Sequence, residues 1–279
     1  MIKHKILILI IFILTITPVY ADTEQGGDSI EESQIKTARV PIIMYHRISN
    51  SDSAASRFVI TPKEFEDDLK FLQNNAYTPV VMKDLISFVE EGTDLPEKPV
   101  VITFDDGYYS DYRYSYPLLK QYQMKAVISV IGKFTDEYSR ESNQNVNYPH
   151  LVWRQISEIT ADGLIEIQNH SYNLHGSNGS KKLSSESSEE YKTRLKADLE
   201  KTQARVTEMA GITPTTFTYP LGKISSESHE VLKGLGIKAS LSCTEGINII
   251  KQGEAECLFL LKRCIRPHGL PISKILNKY

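Results

Sequence analysis

The segment Val100–Gly107, with the sequence VVITFDDG, decides the fold. Its first residues are apolar or β-branched, as in a strand that is buried on both faces, and two aspartates and a glycine follow directly. Apolar runs of similar length alternate with amphipathic helical patterns from about Val40 to the C-terminal region. This alternation predicts a parallel sheet with crossover helices. About seven such units favour an α/β fold in which a single domain forms a closed or nearly closed barrel.

The individual elements are predicted from apolar periodicity and from helix-capping residues. The predicted strands are Ile42–Tyr45, Val100–Phe104, Ala126–Ile131, Ile165–Gln168, Thr216–Tyr219 and Ile237–Leu241, with a last one near Leu258–Lys262. The predicted helices are one that starts at the capping box Thr61–Glu64, then Lys83–Glu91, Trp153–Thr160, Tyr191–Met209 and Ser225–Gly234. The polar segment Gly176–Glu190 is predicted to be a mobile loop.

The N-terminal residues differ in composition from the rest of the chain. Residues 1–21 begin with two lysines, continue with the aliphatic run Ile6–Ile16 and end in small residues at Ala21, which is the layout of a secretory signal peptide. An uncleaved N-terminal anchor is the alternative. Residues 22–38 are polar and predict a flexible leader, and residues 39–279 form the predicted domain. We therefore expect a secreted or cell-envelope protein.

Charge and composition exclude some classes of function. The chain of 279 residues carries 32 basic and 35 acidic side chains, a net charge of −3, and 41% of its residues are hydrophobic. This composition is that of an ordinary globular protein and excludes wholesale disorder. It also argues against a protein that binds nucleic acid through phosphate contacts, because such proteins are strongly basic. We expect no nucleic-acid partner.

Asp105 and Asp106 are the strongest candidates for chemistry. They follow the strand Val100–Phe104, and in parallel α/β folds catalytic groups collect at the carboxyl ends of strands. Two adjacent carboxylates repel each other unless a cation or a shared proton relieves them. The alternative is a simple β-turn with an Asp-Gly tip, which is common. The pair therefore indicates a catalytic or metal site at this point only in combination with other residues.

His170 and His175 supply that combination. They follow the predicted strand that ends at Gln168, and their spacing of five places them on different sides of a helix or a strand. They converge only if the segment between them is a loop, which the neighbouring Asn169 favours. Neutral imidazoles suit a divalent metal such as zinc.

Two further segments lie at predicted strand ends. Phe217–Gly222 turns sharply at a proline and a glycine, and such a turn exposes backbone N–H groups of the kind that stabilise an oxyanion. His46 follows the first strand of the barrel and by itself is typical of a structural histidine. Three cysteines, Cys243, Cys257 and Cys264, are interpreted as small buried residues with one disulfide at most and no catalytic role.

Together these segments resemble the polysaccharide deacetylases, the NodB-like domains of carbohydrate esterase family four. Thr103–Gly107 (TFDDG) is similar to the first motif of the family, His170–His175 (HSYNLH) to the second and Phe217–Gly222 (FTYPLG) to the third. Met44–His46 (MYH) is similar to the last motif, which stands near the N terminus in the circularly permuted branch that deacetylates exported poly-N-acetylglucosamine.

The resemblance implies a distorted (β/α) barrel of roughly seven parallel strands that holds one divalent metal ion. It implies metal ligation by Asp106, His170 and His175, a general base at Asp105, a general acid at His46 and an oxyanion donor at the backbone N–H of Leu221. The family usually has an arginine where Thr218 stands here, so the residue that orients Asp105 is not identified. His268 is the competing candidate for the acid.

The implied substrate is an N-acetylated polysaccharide. The secreted or envelope-associated protein would meet it at the cell-envelope surface. Zinc is favoured by the ligand types, with cobalt, nickel and manganese as alternatives. The candidate sugar contacts are the aromatic residues Tyr108, Tyr219 and Trp153. Three other functions stay open: a non-catalytic carbohydrate-binding protein, an O-acetyl esterase of acetylated polysaccharide, and a non-haem iron oxygenase, against which the second aspartate argues.

Overall fold

The computed structural model describes residues 35–140 and 149–279. The predicted signal peptide, residues 1–21, lies outside the described residues, as does the predicted leader up to residue 34. The end of that predicted leader belongs to the fold, because Thr37 and Ala38 are part of a strand. No helix within the described residues is both long enough and apolar enough to cross a membrane.

The chain alternates strands and helices as predicted. The strands are β1 Thr37–Val40, β2 Ile42–Tyr45, β3 Arg47–Ile48, β4 Val59–Ile60, β5 Thr78–Val80, β6 Pro99–Asp106, β7 Ala126–Val130, β8 Ile165–Asn169, β9 Thr216–Thr218, β10 Ala239–Leu241, β11 Asn248–Lys251 and β12 Cys264–Ile265. The helices are α1 Pro62–Asn74, α2 Met82–Glu90, α3 Tyr116–Tyr122, α4 Gly132–Arg140, α5 Trp153–Thr160, α6 Ser188–Ala210, α7 Ser228–Gly234 and α8 Ile272–Leu276.

The central sheet is parallel and curls into a distorted barrel, which confirms the predicted fold class. Its strand order is β10-β9-β8-β7-β6-β2-β12, and β5 pairs with β6 beside this path. Every pairing within it is parallel. A bridge between Leu241 and Leu261 connects the region of the last strand to the first strand in this order. The carboxyl ends of the strands therefore surround one end of the barrel.

The apolar residues of β6 before its two aspartates follow from burial on both of its faces. All eight of its residues are buried. Ile102 and Phe104 pack in one hydrophobic cluster, whereas Val101 packs in a second cluster with Ile42 and Val127. Successive side chains of a strand point to opposite faces, so each face of β6 needs its own apolar residues.

Some predicted elements differ from the observed ones. Instead of a strand near Leu258–Lys262, the structure has a short 3-10 helix, Ala255–Leu258, and the strand β12 a few residues later. The mobile loop predicted over Gly176–Glu190 is a loop only as far as Ser187, because Ser188–Glu190 form the start of α6. Part of this loop packs against its neighbours: Ser180 is fully buried, and its hydroxyl donates to the carbonyl of Lys223 at 2.9 Å. Turn-forming composition predicted most of the loop but not its packing.

Glu64 ties the start of α1 to the C-terminal segment. The predicted capping box is present: Glu64 donates its amide to the Thr61 hydroxyl, and its carboxylate accepts from the Thr61 amide. The same carboxylate accepts the amide of Gly269 at 2.8 Å and lies 2.8 Å from Nδ1 of His268. Burial opposes the charge, but these hydrogen bonds outweigh it and lower the pKa of Glu64 to about 2.

We expect the stabilisation from Glu64 to disappear in acid. Because the folded-state pKa lies below the ordinary value of 4.5, the contribution is fully present above about pH 4.5 and is lost as the pH falls toward 2. Glu64→Gln should therefore lower the free energy of unfolding at pH 7, and more than half of this difference should be gone at pH 3. Urea unfolding at both pH values measures it, with the exposed Glu91→Gln as the control. A difference that stays constant with pH would contradict the assigned role of the charge.

Candidate active site

The residues predicted to carry the chemistry lie at one end of the barrel. β6 ends with Asp105 and Asp106, β8 ends just before His170, and β2 ends just before His46. β2 and β7 flank β6, and β8 and β9 follow β7. Because these strands are parallel, their carboxyl ends point the same way, and the turn that contains Leu221 follows β9 at this end too.

Asp106, His170 and His175 form a compact cluster. Oδ1 of Asp106 lies 3.0 Å from Nε2 of His175 and 3.3 Å from Nε2 of His170. The three potential ligand atoms all lie within 4.8 Å of one another. Asp106 and His170 are buried, whereas His175 is partly exposed toward the cavity. The structure thus brings together the three residues predicted as metal ligands.

The segment between the two histidines is a turn, as their spacing requires. Asn169 accepts the amide of Ser171 at 2.8 Å, and Ser171 has a left-handed backbone with φ of 74°. The carboxylate of Asp198 on α6 accepts the amides of Tyr172 and Asn173 at 2.7 and 2.9 Å. These bonds hold a conformation that is unfavourable for most residues and that aims both imidazoles at Asp106.

The cluster fits a divalent metal ion. Nδ1 of His170 lies 2.7 Å from the carbonyl of Thr218, so this nitrogen is the donor and Nε2 is left as a free ligand. Among the described residues, the buried Oδ1 of Asp106 receives no well-directed hydrogen bond, although both Nε2 atoms lie within 3.3 Å of it. Burial opposes its charge, but the two imidazoles outweigh burial and hold the pKa of Asp106 well below its usual range. One carboxylate and two imidazoles form a donor set that suits zinc and similar metals.

Asp105 is held by a buried arginine that the sequence did not reveal. The Arg263 guanidinium donates two parallel hydrogen bonds to its carboxylate, at 2.7 and 2.8 Å, and Arg263 is fully buried. Burial opposes the charge on Asp105, but Arg263 outweighs it and holds the pKa of this carboxyl below its usual range. Thr218 takes no part, because its hydroxyl pairs with Ser129 at 2.7 Å. Arg263 is therefore the residue that orients Asp105.

His46 lies beside Asp105, and His268 does not. Nε2 of His46 is 4.0 Å from a carboxylate oxygen of Asp105, and its ring packs edge-on against Phe58 with centroids 4.8 Å apart. Burial lowers the pKa of His46, while the carboxylates of Asp105 and Asp106 oppose this effect. The competing candidate, His268, is bonded instead to Glu64 near the start of α1.

The turn after β9 presents Leu221 to the same cavity. Leu221 is 49% exposed and has a left-handed backbone with φ of 57°. The hydrogen bonds of the turn use the amides of Gly222 and Lys223, which donate to Tyr219 and Pro220. Gly222 is also left-handed, and a Cβ atom at this position would lie 2.7 Å from the Cβ of Cys243. Only glycine fits here without strain.

A cavity of about 470 Å³ joins these groups. It is lined by the predicted metal ligands and by both predicted acid–base residues, and also by Leu221, Tyr108 and Phe58. The predicted base Asp105, the predicted metal ligands and His46 therefore face one space large enough for a sugar unit and its acetamide group.

The family model for polysaccharide deacetylases matches residues 92–240. The chain belongs to the polysaccharide deacetylase family, as the motifs predicted, and is thus a hydrolase. The Bacillus subtilis protein YxkH, whose name places it in this family, is 29% identical over 78% of this chain and 69% of its own length. The poly-β-1,6-N-acetyl-D-glucosamine N-deacetylase of Staphylococcus aureus (strain N315) is 24% identical, over 87% of each chain.

Solved structures agree on the fold of this deacetylase. A de-N-acetylase from Aggregatibacter actinomycetemcomitans matches with a TM-score of 0.73 at 25% identity, over 87% of this chain and 100% of that one. The chain spans only 41% of the length of the Escherichia coli (strain K12) poly-β-1,6-N-acetyl-D-glucosamine N-deacetylase, which is 23% identical to it.

Two of the three predicted sugar contacts of the deacetylase, Trp153 and Tyr219, do not line the cavity. Trp153 is buried, and its indole nitrogen donates to Asp136 at 2.8 Å. Tyr219 is buried in a hydrophobic cluster, and its hydroxyl lies 2.7 Å from that of Ser228. Buried rings have no face to offer a sugar, and the sequence pattern shows aromatic residues without showing which side of the backbone they occupy.

Tyr108 and Phe58 are the aromatic residues that do line the cavity. The ring of Tyr108 stacks on His150 with centroids 5.0 Å apart, and burial, followed by the Asp106 charge, raises the pKa of its hydroxyl. Phe58 is 48% exposed. It was missed because it lies in an irregular segment outside every motif. Arg263 was missed because it stands beside Lys262 near the C terminus, where the sequence alone gives no sign that its side chain is buried.

The three cysteines are free thiols, so the possible disulfide is not formed in this structure. Cys243 lines the catalytic cavity, and its sulfur lies 3.8 Å from a guanidinium nitrogen of Arg263. Burial raises the pKa of the Cys243 thiol. A thiol kept in its protonated form packs beside Arg263 as a small uncharged group. As whole residues, however, Cys243 is exposed and Cys257 is partly exposed, so only Cys264 is the small buried residue that was predicted.

Proposed function

We propose that this deacetylase is an exported, metal-dependent enzyme that removes N-acetyl groups from an N-acetylglucosamine-containing polysaccharide and releases acetate and a free amine. The observation that carries the proposal is the Asp106, His170 and His175 cluster beside an ionised, arginine-paired Asp105. The names of the relatives from S. aureus and E. coli support the choice of a β-1,6-linked polymer of N-acetylglucosamine.

Asp106, His170 and His175 would hold one divalent metal ion, zinc being favoured by the donor set over cobalt, nickel and manganese. When bound there, the ion supplies the Lewis acidity that polarises the acetamide carbonyl and a nearby water molecule. The contribution of the chain is to keep both imidazoles in the correct tautomer. The bond from His170 to the carbonyl of Thr218 does this for one of them.

Asp105 acts as the general base. Arg263 keeps it ionised and fixes both of its oxygens, so it accepts the proton of the water that attacks the acetamide carbon. As the carbonyl oxygen gains negative charge, the backbone N–H of Leu221, in the turn that lines the cavity, would donate a hydrogen bond to it. The preorganised turn around Gly222 means that this donor needs little rearrangement during the reaction.

His46 acts as the general acid. The carbon–nitrogen bond breaks only if the departing amine receives a proton, and His46 is the imidazole beside Asp105 that is not a predicted metal ligand. Burial lowers the pKa of His46, which makes its protonated form a stronger acid toward the amine. One proton therefore passes from water to Asp105 and another from His46 to nitrogen, and the products are acetate and glucosamine.

Export is proposed from residues 1–21 alone. Their basic start, aliphatic run and small residues are typical of a signal peptide, so the working site of the enzyme would be outside the membrane or at the envelope surface. A mature protein that begins at Asp22, shown by N-terminal sequencing of the protein from its own host, would support this proposal. A cytoplasmic protein that retains Met1 would contradict it.

Acetate release from a panel of glycans tests the proposed activity. The full chain is stripped with a chelator, reloaded with zinc, cobalt, nickel or manganese, and incubated with β-1,6-linked N-acetylglucosamine oligomers, chitin oligomers, peptidoglycan and acetylated xylan. We expect release from the β-1,6-linked oligomers only after reloading. Release from xylan alone would identify an O-acetyl esterase, and binding of the oligomers without any release would identify a carbohydrate-binding protein.

His46→Ala should lower kcat by about 10²-fold, since a positioned acid typically contributes 10²–10⁴. Metal content should stay at the wild-type value, because His46 is not among the predicted ligands. His268→Ala is the matched control and should retain activity, since His268 is bonded to Glu64 instead. Elemental analysis and acetate release on both variants provide the measurement. An inactive His268→Ala enzyme beside an active His46→Ala enzyme would reverse the assignment.

A further inference from the structure

A second cavity, of about 370 Å³, adjoins the catalytic one. The two cavities share three lining residues, Arg57, Glu245 and Ile265. The rest of the second cavity is formed by the C-terminal part of the chain, between β12 and Tyr279. We call it the C-terminal groove. Since it opens beside the catalytic cavity, a polymer bound across the catalytic residues has a path into it.

The boundary between the two cavities is a pair of opposite charges. Arg57 lies 3.9 Å from Glu245, and both side chains are exposed to solvent. Glu245 also accepts hydrogen bonds from Lys278 at 3.0 Å and from the hydroxyl of Tyr279 at 3.3 Å. These contacts fix Glu245 at the edge of the groove. Its single negative charge is therefore already shared among basic partners.

The C-terminal groove is apolar at its base and basic at its rim. The side chains of Ile265 and other apolar residues of β12 and α8 form the base. Among the side chains of the described lining residues, those of Arg57, Lys274 and Lys278 are cationic and only that of Glu245 is anionic. The face of a sugar ring has apolar C–H groups that suit such a base. The net positive charge favours a neutral occupant over a cationic one.

We propose that the C-terminal groove is a second sugar subsite that accepts a neighbouring unit in its N-acetylated, uncharged form and disfavours one that is already deacetylated. The inference rests on the proposed function, because that reaction converts a neutral acetamide into a cationic amine. A glycan unit beside a reacted one would then be a poorer substrate. The enzyme should therefore leave acetyl groups between the units that it modifies.

Two defined substrates test this proposal. They are a β-1,6-linked tetramer of N-acetylglucosamine and the same tetramer with one internal glucosamine unit, compared by kcat/KM for acetate release per remaining acetyl group. The wild-type enzyme should prefer the first by about fivefold, the upper end for interactions of exposed charges. Raising the salt concentration from about 0.05 to about 0.5 M should reduce this preference, because salt screens exposed charges.

Lys274→Glu is the decisive variant. Lys274 is exposed on α8, so folding should survive the change, which circular dichroism verifies. The variant leaves two cationic and two anionic side chains in the groove and should remove the preference. Lys196→Glu, an equal charge change at an exposed position of α6, should keep it.

The outcomes separate the two proposals. A wild-type enzyme that releases acetate equally from both tetramers, or a Lys274→Glu variant that keeps the full preference, would overturn the subsite. If the wild-type enzyme with metal restored releases acetate from neither tetramer, the proposed function itself is wrong. The subsite is supported if the preference for the fully acetylated tetramer falls with salt, disappears in Lys274→Glu and is kept in Lys196→Glu.

Discussion

Asp105→Asn is expected to lower kcat for acetate release by about 10³–10⁴-fold, toward the upper end for removal of a general base. The asparagine amide has nearly the shape of the carboxylate but does not accept a proton from water. Metal content should stay at the wild-type value, because the ligand cluster consists of Asp106, His170 and His175. The variant should also unfold at lower denaturant concentration, since Arg263 then lacks its buried counter-charge.

Asp106→Ala is the matched comparison, because it removes the neighbouring carboxylate. It should weaken metal binding itself, and excess metal should restore part of the activity. Calorimetric metal titration, elemental analysis and acetate release on both variants distinguish the two aspartates. A metal-free Asp105→Asn protein together with a fully loaded Asp106→Ala protein would show that the two roles are exchanged.

Arg263→Met is expected to have the second largest effect, lowering both activity and stability. Removing one partner of a buried ion pair costs about 3–5 kcal/mol, because the other charge stays buried without compensation. Asp105 would then favour its protonated form, which does not act as a base, so kcat should fall by about 10²–10³-fold. The activity and stability of Arg263→Lys should lie between those of the wild-type enzyme and Arg263→Met, since lysine keeps the charge but loses the bidentate contact.

Arg266→Met separates the loss of activity from the loss of stability. Arg266 forms another buried ion pair, with Asp68 at 2.7 Å, and does not line the catalytic cavity. The Arg266→Met variant should lose a similar amount of its free energy of unfolding but keep the kcat of the wild-type enzyme. Urea unfolding and kcat of the folded enzyme are measured on both variants. Equal losses of kcat in the two would mean that Arg263 acts only through stability.

Much of the fold follows from local sequence patterns. The bounds of α5, Trp153–Thr160, were predicted without error, and the capping box at Thr61 is present as expected. β6 was recognised from its run of apolar residues, which a strand buried on both faces requires. Each of these features depends on residues only a few positions apart. Hydrophobic periodicity and capping encode such elements within the element itself.

The candidate site was predicted in part for the same reason. Asp105 and Asp106 end a strand, His170 and His46 directly follow strands, and parallel strands must place their carboxyl ends together. The convergence of the histidines on Asp106 and the position of His46 beside Asp105 agree with the roles predicted for them, which remain to be tested. A strand end predicts where a side chain lies, but not which neighbour it contacts.

Only the tertiary structure decided the partners of these residues. Arg263 is 158 positions from Asp105 in the sequence. It reaches Asp105 because it directly precedes β12, and the sheet places β12 next to β2, which in turn pairs with β6. The same packing buries Trp153 and Tyr219 and leaves Phe58 exposed at the cavity. Local sequence determined the strands, their ends and the chemical groups placed there. Closure of the barrel determined which charges pair and which rings are exposed, because contacts between distant residues depend on how all the strands pack at once.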